Sequence, residues 1–526
     1  MASQVKENRE QIALNIINAC KNNISDAYSL LAKHLAQIDN ETFLNNLGLT
    51  FYQHVEYELA KQTFEYALKV FPKSHFLYNN YGLTLNRLGQ GANAVKQYQK
   101  AIALKPDYHQ ARANLAYTQL YYGTTGRKEI LTAHQDIETY VFSDAKNFLK
   151  QRSVSTQANR LLKVAYLSAD LRSHAVGSFM TGILKSHNPA KFEIHILDNR
   201  PNNNDVIAKQ LKEYPSSWND ISQMSSVEVC DLIIRLEIDV LIDLSGHTKG
   251  GRPDVFAHRC APVQINYLGY PATTGLKNID YRIVDRFTDP DTLPNQTTEK
   301  LLHLNHAMWN YRPWSDMPTE LSQSPFKRNG FITFGSANNH AKLQDSWLKI
   351  WAQVLLNVPN SKLNIKSRSL KSPAAQQQLF QFFNNHKIAK NRIEIAHYSP
   401  SKPEHWQALT KFDIALDSFP YNGTTTTCDL LNLGVPVITR SGNSHVSRTT
   451  GSILNTLGLN DWIADSNQDF IDICVKKSNN LNELNKLRQS LQIRFSSSSL
   501  GNSNLFMIEY EQLLQYSWAK YCLQKN

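Results

Sequence analysis

Two hydrophobic rhythms run along the chain, and one gives way to the other near Lys163. In the N-terminal part, apolar and small residues recur at helical spacing, and the pattern copies itself every 34 residues. Gly48, Gly82 and Ala116 are one period apart, as are Ala60 and Ala94, Ala67 and Ala101, and Pro72 and Pro106. Each unit reads as two helices. The first carries Leu47-Gly48 or Tyr81-Gly82, where a small residue lets another helix approach; the second carries Ala60, Phe64 and Ala67 or Ala94, Tyr98 and Ala101. A proline follows because its ring cannot continue the helix. Past Lys163 the rhythm shortens to apolar runs rich in β-branched residues, alternating with helical stretches. The runs are 163–168, 192–197, 239–244 and 263–267, then, after a break at 310–328, 331–334, 362–365, 392–396, 412–416 and 435–439. Strands alternating with helices imply βαβ units and parallel sheets, so two such sets predict two doubly wound lobes with a cleft between them.

A 34-residue period of helix pairs is the tetratricopeptide pattern. Two repeats are complete, at 41–74 and 75–108, while 7–40 and 109–122 read as degenerate caps covering the ends of a short array. Within it, Gly89-Gln90-Gly91-Ala92-Asn93-Ala94 imitates a dinucleotide fingerprint, which has physical meaning only after a strand. A helix precedes it here, so the segment reads as the turn inside a repeat.

Composition narrows the classes. At 526 residues the chain is too long for one core, and two to four domains are expected. The net charge of +11 favours anionic partners, yet basic residues nowhere form a long run, which argues against a dedicated nucleic-acid groove. Cys20, Cys230, Cys260, Cys428, Cys474 and Cys522 form no CxxC pair, which speaks against a disulfide framework or a zinc site. The N-terminus lacks the apolar core of a signal peptide, and no stretch reaches the roughly 18 apolar residues of a membrane span. The expected compartment is the cytoplasm, where the sequon Asn295-Gln296-Thr297 meets no secretory glycosylation.

In open α/β sheets ligands bind beyond the carboxyl ends of the strands. Five loops there carry candidate chemistry: 168–174 with Asp170 and His174, 243–252 with Asp243 and His247, 268–275 with Gly269 and Pro271, 338–342 with Asn339 and Lys342, and 417–429. The last places Gly423 and four threonines at a helix start, offering hydroxyls and free N–H groups at the positive end of a dipole, a site suited to a diphosphate. Asp429, one turn in, suits ribose hydroxyls. The plain alternative is a threonine-rich N-cap with no ligand, and Lys342 has the plain alternative of a solvated lysine.

In order, the segments DLRSHAVGSFM, GHTKGGR, LGYPATTG, PEHW and DSFPYNGTTTTCD resemble the family 41 glycosyltransferases, the O-linked N-acetylglucosamine transferase and SPINDLY group, over about 162–520. The resemblance implies a GT-B fold of two Rossmann-like lobes behind the repeats, an inverting mechanism and no metal. The expected domains are repeats with their caps at 1–125, a helical linker at 126–160, a first lobe at 161–325, a nucleotide-sugar-binding lobe at 326–500 and a closing helix at 501–526. By position, Lys342 resembles the lysine on the donor diphosphate, beside Asn339. Thr425 and Thr426 resemble the phosphate-binding hydroxyls, Asp429 the ribose ligand, and Lys402 and His405 the pair on the uridine. His174 resembles the histidine near the reacting sugar, and Gly269 and Pro271 the loop lining the donor. The partners implied are UDP-N-acetylglucosamine and protein acceptors recruited by the repeats, with none of the five loops in the repeats. Two departures stand out: the long intervening domain of the animal enzyme is missing, and the threonine run looks like the SPINDLY and bacterial branches, which leaves GDP-fucose and UDP-glucose as alternatives, although Asp429 keeps the aspartate of the N-acetylglucosamine branch. A non-catalytic repeat scaffold and a lipid- or glycan-directed GT-B enzyme are the rival classes. The acceptor's proton has three candidate bases: His174, Asp243 and a donor phosphate oxygen.

Asp289-Pro290-Asp291 imitates a DxD metal motif but sits among turn-forming residues, so a surface turn is expected. The 17 histidines offer no HxxxH pair with a third ligand in view. His195 reads as a packed strand residue.

Overall fold

The computed structural model describes residues 11–12, 15–16, 18–19, 24–35, 40–122, 126–201, 204–293, 297–396 and 401–525. Cys20, part of the cap expected at 7–40, and Asn295-Gln296 of the sequon lie outside the described residues. The described residues fall into two compact units, the first drawn from Met1–Tyr122, Ala337–Ala352 and Ile365–Tyr398, the second from Gly123–Ser336, Gln353–Asn364 and Ser399–Asn526.

The first unit contains the helix pairs that the period foretells: Glu41–Gln53 with Tyr57–Val70, and His75–Arg87 with Gly91–Leu104, followed by His109–Gln119. Pro72 and Pro106 each fall two residues past a helix end. The glycines are there for close approach. A Cβ on Gly48 would sit 2.5 Å from the Phe64 ring, and one on Gly82 would sit 2.5 Å from the Tyr98 ring, so any side chain would push the paired helices apart. Phe64, Tyr98, Leu44, Leu47 and Leu77 are buried in the resulting core. Neighbouring first helices are also joined by polar pairs, Asn80 to Asn45 at 2.7 Å and Asn114 to Asn79 at 2.8 Å. Gly89, at φ +75°, makes the turn between His75–Arg87 and Gly91–Leu104, so the imitation of a dinucleotide fingerprint is a repeat turn.

The second unit is built on two sheets. In the first, β1 (Leu162–Ser168), β2 (Phe192–Asp198), β3 (Ser217–Asp220), β4 (Val240–Asp243), β5 (Val263–Asn266), β6 (Tyr281–Asp285) and β7 (Lys300–Leu304) run in the order β3-β2-β1-β4-β5-β6-β7, each neighbouring pair parallel. Four of these strands are legible in the apolar runs. The half-buried edge strand β3, Ser-Trp-Asn-Asp, has no apolar run at all, and β6 and β7 are missed because Arg282 and His303 interrupt theirs. The switch between β1 and β4 directs the carboxyl ends of both strands to one crevice. A buried carboxylate braces this sheet from below: Asp239, just before β4, accepts from the two terminal guanidinium nitrogens of Arg160 at 2.7 and 2.6 Å and from the Lys163 N–H at 3.0 Å.

The second set of strands comprises β8 (Thr333–Ser336), β9 (Lys362–Ile365), β10 (Ile393–Ile395), β11 (Ile414–Leu416), β12 (Val437–Arg440) and β13 (Ile463–Ala464). Within the second unit the order is β9-β8-β11-β12-β13, while β10 falls in the first unit. β8 starts two residues later than its apolar run because Gly330, at φ +74°, caps the short helix before it and leaves Phe331 and Ile332 in the turn. A long helix, Ser503–Lys525, closes the chain against the first sheet, burying Tyr510 and Trp518. No helix among the described residues is long and apolar enough to cross a membrane.

Candidate active site

At the end of β11 the backbone turns sharply around one carboxylate. Asp417 accepts from the Ser418 and Gly423 N–H groups, both at 2.8 Å, and from the Thr439 hydroxyl at 2.7 Å. The Gly423 carbonyl takes the Thr449 and Thr450 hydroxyls, both at 2.9 Å. These bonds fix the entry to the helix Thr425–Asn432. Its N-cap, Thr424, makes no side-chain cap, and the Thr425 and Thr426 hydroxyls take no hydrogen-bond partner among the described residues. Only Thr427 turns its hydroxyl inward, to Thr450 at 3.0 Å. A threonine-rich start that existed to cap its own helix would have engaged these groups. Here the first-turn N–H groups and two hydroxyls stay open to an anion.

One turn on, Asp429 is buried, with 6% of its surface exposed, and accepts a hydrogen bond from the Tyr311 hydroxyl. Burial pushes its carboxyl up to about 7, against the opposing pull of the Tyr311 hydrogen bond and the Lys402 charge. Lys402 opens the helix Lys402–Leu409 and lays its ammonium 3.6 Å from the centre of the Trp314 ring, a cation–π contact. His405, on the same helix, sits beside the buried Trp406, ring centres 4.9 Å apart. Thr425, Thr426, Asp429 and Lys402 therefore share one neighbourhood of the second unit.

The loops of the first sheet carry the other candidates. His174 is the N-cap of the helix Ala175–Ser186; its Nδ1 accepts from the Val176 N–H at 3.3 Å and stands 3.7 Å from Asp170. Burial lowers the imidazole below its ordinary value, and Asp170 opposes that shift. With 40% of its side chain exposed, His174 remains accessible. Asp243 ends β4 fully buried, accepting from the Ser245 and Gly246 N–H groups at 2.9 Å and from Asn266 at 3.1 Å, and burial raises its carboxyl above the usual range. Gly269 is demanded by the Leu244 carbonyl, which a Cβ would meet at 1.7 Å. The rest of its loop, through Pro271, is held by Tyr270, whose hydroxyl meets His134 at 2.8 Å, and by Thr274, whose carbonyl meets His247 at 2.6 Å.

Asn339 and Lys342 belong to the first unit, on the turn His340–Lys342. The Asn339 side chain caps it, accepting from the Ala341 N–H at 3.2 Å, and the Ser367 hydroxyl accepts from the His340 N–H at 2.9 Å. This turn packs on a repeat: the His340 ring lies 3.2 Å from where a Gly89 Cβ would be. Lys371 of the same unit pairs with Glu56 of the first repeat at 2.9 Å. The repeats are thus part of the scaffold of the Lys342 turn, which tempers the expectation that they stand apart from the chemistry.

Asp289-Pro290-Asp291 does lie in a turn, with the Leu293 N–H on the Pro290 carbonyl at 3.0 Å and the Asp291 side chain exposed, but the turn is tied down at one end. Asp289 pairs with His445 at 2.5 Å, and the imidazole beside it holds its carboxyl well below the usual range. The pair joins the segment after β6 to the segment after β12, next to bonds from Ser452 to Asp285 at 2.9 Å and from Arg448 to the Phe287 carbonyl at 2.6 Å. Sequence reasoning also missed Tyr311 and Trp314, which fall in the stretch read as a break; the signal available was the pair of aromatics around Arg312-Pro313 in an otherwise polar connector. His195 is a packed strand residue in β2, bonded to Ser217 at 2.7 Å. The cysteines among the described residues are buried and unpaired, and those residues contain no cluster of three His, Cys, Asp or Glu able to hold a metal.

The sequence profile of glycosyl transferase family 41 matches residues 119–314 and 322–510. The chain belongs to this family of glycosyltransferases. It is 30% identical over 425 residues to a Petunia hybrida protein named probable UDP-N-acetylglucosamine–peptide N-acetylglucosaminyltransferase SPINDLY, covering 80% of this chain and 45% of that one. The Arabidopsis thaliana protein of the same name is 31% identical over 372 residues, 69% of this chain and 40% of its own. The chain thus spans less than half the length of these curated relatives. Among solved structures, a mutant of the Thermobaculum terrenum O-GlcNAc transferase superposes with a TM-score of 0.87 at 26% identity, over 98% of both chains. Tetratricopeptide helices followed by a GT-B pair of sheets are therefore the architecture of this protein.

Proposed function

We propose that the protein transfers N-acetylglucosamine from UDP-N-acetylglucosamine to serine or threonine hydroxyls of protein acceptors, inverting the sugar and using no metal. The observation that carries this reading is the open helix start at Thr425 and Thr426, with Asp429 and Lys402 beside it. A leaving nucleoside diphosphate gathers negative charge, and oriented N–H groups, two hydroxyls and the Lys342 ammonium would stabilise it. Asn339 shapes the Lys342 turn. Asp429 would hold the ribose, and Lys402 and His405 the uracil, with the imidazole stacked on the base. Gly269 and Pro271 would line the donor and His174 would lie against the sugar. Of the candidate bases, Asp243 is buried with its oxygens engaged, which favours His174 or a donor phosphate oxygen for the acceptor's proton.

The names of the relatives support a peptide acceptor and this donor, and stacked repeats supply a surface suited to an extended chain. The reading puts the reaction in the cytoplasm, on the sequence grounds above. A second reading rests on the threonine run, which looks like the SPINDLY branch: fucose from GDP-fucose, or glucose from UDP-glucose. Incubation of the full chain with protein acceptors, each nucleotide sugar in turn and excess chelator separates them by intact mass. The acceptor is expected to gain N-acetylhexosamine, from UDP-N-acetylglucosamine alone. Transfer only from GDP-fucose, or activity lost to chelator and restored by manganese, would overturn the reading.

A further inference from the structure

Three consecutive residues in the connector between the sheets are held on all sides. Asn310 donates to the Ser499 carbonyl at 3.0 Å and accepts from the Ser503 hydroxyl at 2.8 Å. The Tyr311 N–H reaches the Leu500 carbonyl at 2.7 Å. Arg312 exchanges two bonds with Ser178: its carbonyl accepts the Ser178 hydroxyl at 2.7 Å, and its N–H donates to the Ser178 carbonyl at 3.3 Å. The Tyr311 ring is fully buried, edge-on to Phe179 and to Phe495, each 5.8 Å away between centres. Phe179 and Ser178 lie on the helix that His174 caps. From this fixed position the Tyr311 hydroxyl donates to Asp429.

We infer that Tyr311 is a positioning residue for the donor: its hydroxyl holds the Asp429 carboxylate in one orientation for the ribose, and its ring ties that carboxylate to the helix headed by His174. The inference rests on the reading of Asp429 as the ribose ligand. Packing alone does not call for the pair. A buried carboxylate is costly to desolvate, and an apolar pair of the same shape would fill the space without that cost.

The arrangement also sets a pH response. The groups facing Asp429 are Lys402 from its helix, the Tyr311 phenol from the connector and the Cys428 thiol beside it. On the adjacent helix Leu481–Ser497, Arg488 is engaged with the Phe412 and Asp413 carbonyls and Gln492 with that of Asn432. The Tyr311 hydrogen bond favours the ionised carboxylate, so deleting the hydroxyl raises its titration point, and the neutral acid persists to higher pH.

The test compares Tyr311→Phe, Asp429→Asn and the double variant in the full chain, by donor KM, kcat, thermal midpoint and the pH profile of kcat/KM. Tyr311→Phe keeps the ring. It is expected to raise donor KM about tenfold at pH 7 while kcat changes less than twofold, and to move the acidic limb of kcat/KM upward by about one pH unit, so that the defect shrinks at pH 8.5. The double variant is expected to bind donor no worse than Asp429→Asn. An unmoved limb would overturn the inference, as would a pH-independent loss that follows the thermal midpoint. If Tyr311→Phe failed to fold, Phe179→Leu, which leaves the hydroxyl in place but loosens its ring, should raise donor KM; unchanged KM there would count against it. Should Asp429→Asn bind UDP as tightly as the wild type, the ribose reading itself fails, and the inference with it. Weakened binding in Asp429→Asn beside a normal Tyr311→Phe would overturn the inference alone.

Discussion

The loops after β4 and β11 are alike on paper, each an aspartate followed by hydroxyl residues and glycine, yet one matches its polar groups within the protein and the other leaves them open. Asp243 and Asp417 do the same thing: each is buried at a strand end and gathers two backbone N–H groups and one side-chain donor, fixing the turn that follows. Beyond that point they diverge. The polar groups after Asp243 turn inward, Thr248 to the Ser245 carbonyl at 2.7 Å and His247 to the Thr274 carbonyl. After Asp417 the turn delivers a helix whose first N–H groups and whose Thr425 and Thr426 hydroxyls stay open, with a buried carboxylate titrating near neutrality one turn away. The same composition thus builds a wall in one place and, in the other, an open helix start that we propose as the ligand cradle. What separates them is whether the donors are matched within the protein.

That contrast can be broken or sharpened by substitution. The largest expected effect is at Lys342, on the turn after β8: Lys342→Ala should lower turnover by about 10²–10³ with an unchanged thermal midpoint, since a preorganised charge on a leaving group is worth that much. A variant keeping a third of wild-type turnover would remove Lys342 from the chemistry. Asp243→Ala should act oppositely, leaving buried donors unmatched and costing about 3 kcal/mol of stability. Urea unfolding reads this as a lower midpoint, and nucleotide affinity of the folded protein should stay within twofold. An equal loss of affinity would mean that the wall is also a cradle. Smallest is Thr425→Val with Thr426→Val. Their hydroxyls have no partner to lose, so stability should hold within about 0.5 kcal/mol, while UDP affinity measured by titration falls about tenfold, as for hydrogen bonds to a charged group. Unchanged affinity would return the threonines to a plain helix start.

The repeats and most strands were legible because each has its own period: Gly48, Gly82 and the prolines at one spacing, and β1, β2 and β4 as apolar runs. The five loops were legible too, since each follows an apolar run and so stands at a strand end. Less visible were features that exist only through long-range pairing. The turn at Asp289 was legible but its ion pair was not, because its partner, His445, is 156 residues away. Tyr311 looked like filler in a break because its hydroxyl answers to Asp429, 118 residues on. β3 was invisible for a related reason: an edge strand covered on one side carries little apolar sequence. The engagement of the repeats with the Lys342 turn, through Gly89 and His340, likewise has no local signature.

The central claim, that the end of β11 and the helices around it grip a uridine diphosphate, is tested most directly by calorimetric titration of the full chain with UDP and with GDP. UDP should bind at least tenfold more tightly than GDP, and His405→Ala should weaken UDP by roughly 1–3 kcal/mol through lost base stacking. Tighter binding of GDP, or UDP affinity untouched by His405→Ala, would contradict the account.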